Sequence, residues 1–407
     1  MKKAVSLALA LSLTLMSLTA CGNTASETTD AAATTETTET TDAAADTATE
    51  ATGATFKIGG IGPATGGAAV YGLAVKNGAQ LAVDEINAAG GINGTQIEFN
   101  FQDDEHDAEK AVNAYNTLKD WNMQILMGTV TSTPCIAVAE ETNKDQIFQL
   151  TPSGSAVPCV QYDNAFRVCF SDPNQGIASA QYIGENKIAS KVAVIYDSSD
   201  VYSSGIYEKF AAEAANQGIE IVAAEAFTAD SKTDFTVQLQ KAKDAGAELV
   251  FLPIYYTEAS LILSQANTMG FAPKFFGCDG LDGILSVENF DTKLAEGVML
   301  LTPFAADAQD DLTKNFVAAF QKAYGEVPNQ FAADAYDAIY IIKAAIESGK
   351  VTADMSAQDI CAALKTAMTT ISVDGLTGAG MTWTADGEVN KAPKAVKIEN
   401  GAYVAMQ

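Results

Sequence analysis

Several short stretches carry residue types able to hold a small polar molecule, and each falls where a strand should give way to a turn. The turn Gly128-Thr129-Val130-Thr131-Ser132-Thr133-Pro134 combines hydroxyl side chains with a proline well placed in the first turn of a helix. Hydroxyls and unpaired backbone N–H groups at a helix N-terminus make a ready site for a carboxylate. The same residues also fit a plain helix start in which Ser132 or Thr133 is only the N-cap. A second donor-rich turn, Thr151-Pro152-Ser153-Gly154-Ser155, again offers small hydroxyls and free backbone donors. Two such turns side by side in one sheet point to an anionic or polar ligand group. Further along, strand ends present Asp197 with Tyr202 nearby, then Tyr255-Tyr256, then Asp279 in Gly277-Cys278-Asp279-Gly280. Aromatic walls beside an isolated carboxylate suit a small ligand with an ammonium group and an apolar side chain. The alternative is that Asp279 caps a helix and the tyrosines pack at a rim.

Other chemistries find less support. His106 is the single histidine, which leaves little room for Ser-His-Asp catalysis or a multi-histidine zinc site, and there is no GxSxG. Asp103-Asp104-Glu105-His106-Asp107 lacks the spacing of a calcium loop and reads as a solvated helix start, where acids favour the positive dipole end. Gly60 and Gly62 match two glycines of a dinucleotide fingerprint, but Thr65 holds the third place and Pro63 removes a backbone donor. No catalytic residue, metal or cofactor is expected.

The elements that must position these turns follow a strand–helix rhythm. Strands are expected at 56–61, 96–102, 125–128 and 147–150, separated by helices at 71–89, 108–122 and after Thr133. After 166–169 the rhythm restarts with strands at 192–196, 219–227, 249–253, 274–277 and 298–302, and helices at 175–186, 205–217, 235–245 and 258–269. Helices near 310–324, 332–347 and 356–369 then precede turn-rich sequence. Two consecutive series of this kind imply an α/β protein with two similar Rossmann-like lobes, which bind ligands beyond the carboxyl ends of their strands.

The first residues are of another kind. Lys2 and Lys3, an uncharged apolar run at 4–18, and Thr19-Ala20-Cys21-Gly22 read as a secretory signal peptide over 1–20. Residues 23–55 are almost wholly Thr, Ala, Asp, Glu and Ser, which cannot bury enough apolar surface to order, so 21–55 should be a tether. The chain has 51 acidic and 24 basic residues; setting aside the seven tether acids and two leader lysines leaves 44 against 22. That surface repels phosphate backbones and argues against nucleic acid or a bare anionic membrane as partner. Of the cysteines after Cys21, Cys159 and Cys169 flank a turn and could pair in an exported protein, or all could be buried thiols.

Leu18-Thr19-Ala20-Cys21-Gly22 resembles a bacterial lipobox, which makes Cys21 the lipidated residue. The turns, in their order, resemble the leucine/isoleucine/valine-binding protein family, type I periplasmic substrate-binding components of ABC transporters. The markers are Ala69-Val70-Tyr71-Gly72, the run from Asp84-Glu85-Ile86-Asn87 to Gly91-Ile92-Asn93-Gly94, Gln102-Asp103-Asp104, Thr151-Pro152, Phe166-Arg167, and Asp172 with Gln175-Gly176. The resemblance implies two lobes joined by a three-crossover hinge, 56–171 plus 303–384 and 172–302 plus 385–407. It implies that Ser132 holds a ligand α-carboxylate, with Ser153 and Ser155 beside it where the family has a small residue and a threonine. Tyr71 would wall the side-chain pocket, Tyr202 and Tyr255 would close from the second lobe, and Asp279 would pair with the ammonium. His106 and Thr131 fall where a disulfide of some members would be expected. The expected protein is a monomeric lipoprotein on the outer face of the bacterial cell membrane. It would capture a small amino acid, branched-chain or otherwise apolar, for permease subunits of an ABC transporter. The alternatives are a ligand sensor, a receptor for amides or aromatic and organic acids, or a secreted Rossmann-type enzyme.

Overall fold

The computed structural model describes residues 53–406; the leader, Cys21 and nearly all of the expected tether lie outside the described residues. The first lobe begins with β1 (Phe56–Gly62), α1 (Ala69–Ala88), β2 (Ile97–Asp103), α2 (Ala108–Asp120), β3 (Ile125–Gly128), α3 (Ser132–Asp145), β4 (Phe148–Thr151) and β5 (Ala165–Arg167). The second follows with α4 (Asp172–Glu185), β6 (Lys191–Asp197), α5 (Val201–Ala214), β7 (Glu220–Phe227), α6 (Thr236–Asp244), β8 (Leu249–Leu252), α7 (Tyr256–Thr268), β9 (Lys274–Gly277) and β10 (Met299–Thr302). The chain then returns through α8 (Asp311–Tyr324), α9 (Gln330–Gly349) and α10 (Ala357–Met368), and ends in β11 (Lys394–Glu399) and β12 (Ala402–Ala405).

The central strands are buried because helices cover both faces of a parallel sheet, and the two polar residues of β4, Gln149 and Thr151, are hydrogen-bonded internally. Thus β3, β4 and β8 are buried at every residue, whereas the edge strands β2 and β7 are only partly buried. The first sheet runs β2-β1-β3-β4-β5, all parallel; the second runs β7-β6-β8-β9-β10, also parallel, and is extended by antiparallel β11 and β12. The two parallel sets therefore have one strand order, and each reverses its winding direction beside its first strand. That reversal opens a crevice at the carboxyl ends.

The late helices α9 and α10 cover the first sheet. Packing between α1 and α9 is close: a Cβ on Gly78 would lie 2.1 Å from the Ala332 carbonyl oxygen, so only glycine lets the backbones meet. On α1 the buried side is set by Tyr71, Ala74, Val75, Ala79, Ala82 and Ile86, while Leu73 is 43% exposed. The terminal hairpin was not anticipated. Its strands carry Lys394, Lys397 and Glu399 among few apolar residues, although Asn400-Gly401, both at positive φ, is a strong hairpin turn signal.

The chain passes between the lobes three times: after β5, after β10 and before β11. These passages are tied together. The Arg167 N–H donates to the Gly387 carbonyl (3.0 Å) and the Trp383 indole N–H to the Arg167 carbonyl (2.8 Å). Lys391 is buried against Asp334 of α9 at 2.8 Å and also donates to Thr377.

Candidate ligand-binding cleft

Six turns meet where the lobes face one another: those after β1, β3 and β4 of the first and after β6, β8 and β9 of the second. They are equivalent positions in the two strand orders. Between them lies a narrow cavity of about 10 Å³, lined by Tyr71, Ser132, Ser153, Ser155, Tyr202, Tyr255 and Asp279 together with Val130, Thr131, Gly280 and Phe331. All seven residues singled out in the sequence are thus brought to one place, and the last four were missed. Phe331 had no usable signal, because an aromatic residue in the first turn of an amphipathic helix reads as core.

On the first-lobe wall the donors are neutral. Ser132 opens α3 and is 1% exposed, while Thr131 holds the N-cap position without a side-chain cap bond. The simpler reading of Ser132 or Thr133 as the cap is therefore incorrect. The Ser132 hydroxyl instead accepts from the Ala156 N–H (3.2 Å), which joins the two donor turns. The Ser153 hydroxyl is engaged within the wall, donating to the Val130 carbonyl (2.7 Å). The buried Arg167 guanidinium donates to the carbonyls of Ser155 and Ala156. No lysine or arginine lines the cavity among the described residues.

The acidic run before α2 behaves differently from the solvated helix start expected. Asp107 does cap α2, accepting from the Lys110 N–H. Asp103, however, accepts from the Ala64 N–H and the Thr65 hydroxyl, tying down the turn after β1. His106 is partly buried, with its Nδ1 2.8 Å from the Thr131 hydroxyl and its ring edge-on to Tyr255 at 5.5 Å. Burial, then Lys232, hold its imidazole below the usual range. A hydrogen bond thus joins the two positions where the family resemblance placed a disulfide.

The second-lobe wall is acidic and aromatic. Asp279 is 4% exposed and its Oδ1 accepts from the Tyr202 hydroxyl (2.7 Å), whose oxygen accepts in turn from the Gly280 N–H (2.9 Å). The Tyr202 ring stacks on Tyr255 with centroids 4.8 Å apart. Burial pushes Asp279 up to about 7, and burial followed by Asp197 pushes Asp200 up to about 6. Behind Ser155 lies Asp172, 1% exposed, with neither oxygen in a formed hydrogen bond; the Nε2 of nearby Gln175 is also unpartnered, while its Oε1 accepts from the Asp279 N–H. Burial raises Asp172 well above the carboxylate range. In the sequence these two residues served only as family markers, since Ser171-Asp172-Pro173 reads as an ordinary helix start. Buried acids with unmet hydrogen-bonding capacity favour a cationic donor.

The walls touch directly. The Tyr71 hydroxyl, fully buried, donates to the Gly280 carbonyl and accepts from the Tyr256 N–H (3.2 Å). The Val70 N–H donates to the Tyr256 hydroxyl (3.2 Å) and the Thr257 hydroxyl to the Gly67 carbonyl (2.8 Å). The cysteines after Cys21 are all free and buried, so Cys159 and Cys169 are not paired: the helical turn at Val157–Val160 directs Cys159 toward Cys135 instead.

A family model described as periplasmic binding protein matches residues 55–402. A Leu/Ile/Val-binding protein homolog of Brucella melitensis is 32% identical over 307 residues, covering 75% of this chain and 82% of its own. A leucine-, isoleucine-, valine-, threonine- and alanine-binding protein of Pseudomonas aeruginosa is 30% identical, covering 72% and 78%. The crystal structure of the branched-chain amino acid transporter substrate-binding protein LivJ from Streptococcus pneumoniae, in complex with isoleucine, superposes with a TM-score of 0.78 at 30% identity, covering 86% of this chain and all of that one. With two lobes of one strand order around a common cleft, the chain belongs to the periplasmic binding protein family, among its leucine/isoleucine/valine-binding members.

Proposed function

We propose that this protein captures a small amino acid, branched-chain or otherwise apolar, in the interlobe cleft and presents the closed form to the permease subunits of an ABC transporter. The observation that carries the reading is the opposition of two poles across one cavity: neutral donors around Ser132 and Ser155 on one side, and Asp279 held by Tyr202 on the other. An α-amino acid presents a carboxylate and an ammonium group on one carbon, and the two poles match that pair. Tyr71, Tyr255 and Phe331 supply the apolar wall for its side chain. The lobes are assigned as 56–171 plus 303–384 and 172–302 plus 385–407. The protein acts as a monomer, performs no chemistry on its ligand, and is held to the outer face of the cell membrane by lipid on Cys21.

A thermal-shift panel of amino acids, amides and aromatic acids tests the ligand class. A ligand at 100 times its Kd adds about 2.7 kcal/mol of stability. Leucine, isoleucine or valine is expected to give the largest shift. Stronger stabilisation by an aromatic acid that lacks an ammonium group would overturn the amino-acid reading. For the anchor, Cys21→Ala should abolish incorporation of radiolabelled palmitate and release the protein from the membrane fraction; retention with no label would exclude Cys21 as the attachment point.

A further inference from the structure

Two cysteines outside the ligand reading meet directly behind the donor turns. Cys135 lies one helical turn after Ser132 on α3, and Cys159 lies in the Val157–Val160 turn that follows Ser155. Both are 0% exposed and pack with Ala156 in a small cluster of their own. The Cys159 thiol donates to the Ser132 carbonyl (3.7 Å), and the Cys135 sulfur accepts from the Gln149 side-chain amide (3.6 Å). We propose that Cys135 and Cys159 are a dithiol that closes to a disulfide and staples the two donor turns of the first lobe together.

The surroundings divide the roles. Cys159, then the Thr151 hydroxyl, the Thr129 N–H and the Arg167 guanidinium, draw the Cys135 thiol below its usual range, whereas burial pushes Cys159 up. Cys135, whose sulfur accepts the Gln149 amide N–H while the Cys159 thiol is a donor, is therefore the attacking thiolate. The turn bearing Cys159 is short, Val157 on it is 55% exposed, and its outer face borders a surface hollow formed with Gln161 and Tyr162. A small disulfide reaches the pair from that side when the turn opens.

The oxidant is a small-molecule disulfide, in keeping with an extracytoplasmic protein. The Cys135 thiolate attacks one of its sulfurs, expelling the first small thiolate and forming a mixed disulfide. The Cys159 thiolate then attacks the Cys135 sulfur and expels the second. Two protein thiols are oxidised, one external disulfide is reduced to two thiols, and the protons given up by the cysteines end on those thiols. The S–H donor to the Ser132 carbonyl is replaced by a covalent tie between α3 and the turn after β4.

The test uses the full chain, reduced and then incubated with oxidised glutathione, unfolded in acid, alkylated and mapped by mass spectrometry. The expected result is two fewer alkylated thiols and one peptide pair joining Cys135 to Cys159. The thermal midpoint should rise by about 4 °C, the effect of closing a loop of roughly 25 residues in a chain this long. Cys135→Ser and Cys159→Ser should abolish the rise, and Cys169→Ser should keep it. Both thiols still alkylated after oxidation, or a bridge through Cys169, would overturn the proposal. The wild-type map decides even if a variant fails to fold, and it is independent of which ligand the cleft takes.

Discussion

The two walls of the cleft are built from the same parts and do opposite things. Each lobe offers the turns after its first, third and fourth strands, in one strand order. In the first lobe those turns end in hydroxyls and main-chain N–H groups at the start of α3, with the buried cation Arg167 engaged by carbonyls. In the second they end in tyrosines and acids, with Asp279 and Asp200 raised by burial. A repeated scaffold thus supplies position, and a few side chains supply sign. Because one wall favours an anion and the other a cation, a zwitterion gains most when both are engaged, which is what biases such a pair of lobes toward closure. Tyr71 adds bonds that cross the cleft directly, so part of the closed geometry is held by protein alone.

The acidic wall is where a single substitution should cost the most. Asp279→Ala leaves a ligand ammonium unpaired in a buried site, at roughly 3–5 kcal/mol, so affinity for isoleucine or leucine should fall about 10²–10³-fold by calorimetry. Binding within a few-fold of wild type would mean that the second lobe does not hold the ammonium.

Proton linkage acts on the same residue. Asp279 ionises near 7 in the ligand-free fold against an ordinary 3.8, so between those values the folded state binds more protons than the unfolded one. The contribution of Asp279 to stability is thus fully present below about 4, declines as pH rises through 7, and stays lost above it. A bound ammonium favours the ionised form, so affinity should move the other way, about tenfold weaker at pH 6 than at pH 8. A flat profile across that range would remove Asp279 as the counter-ion.

The neutral wall should respond less. Ser132→Ala removes one hydroxyl that meets the Ala156 N–H, and a loss of about fivefold in affinity is expected from a single neutral hydrogen bond. Ser153→Ala should change affinity by less than about twofold while lowering the unfolding midpoint, since its hydroxyl serves the Val130 carbonyl. An affinity loss at Ser153 larger than at Ser132 would reverse the roles assigned to the two serines.

Much of this arrangement was legible in the sequence because strand ends announce themselves. Apolar runs of four to seven residues closing in Gly, Ser, Thr or Asp located the turns after β3, β4, β6 and β9, Tyr255-Tyr256 marked the end of β8, and the resemblance to a family supplied the role of Tyr71. What escaped was what a fold brings in from the side. Phe331 reaches the cavity from a helix far along the chain, and Asp172 sits behind Ser155 with its oxygens unpartnered. His106 read as a solvated helix start because local sequence could not reveal Thr131 and Tyr255 on either side of it. The closing hairpin was overlooked because charged residues mask its strands, even with Asn400-Gly401 between them.

The α/β class, the repeated lobe and the chemical type of each turn are written locally, since periodicity and turn chemistry act over a few residues. Packing between distant segments settles that the Ser153 hydroxyl braces the wall, that Tyr202 holds Asp279, and that Cys159 meets Cys135 rather than Cys169. Those outcomes depend on the burial and direction of groups distant in the chain, and a hydrogen bond or a raised carboxylate exists only once packing has excluded water from around it.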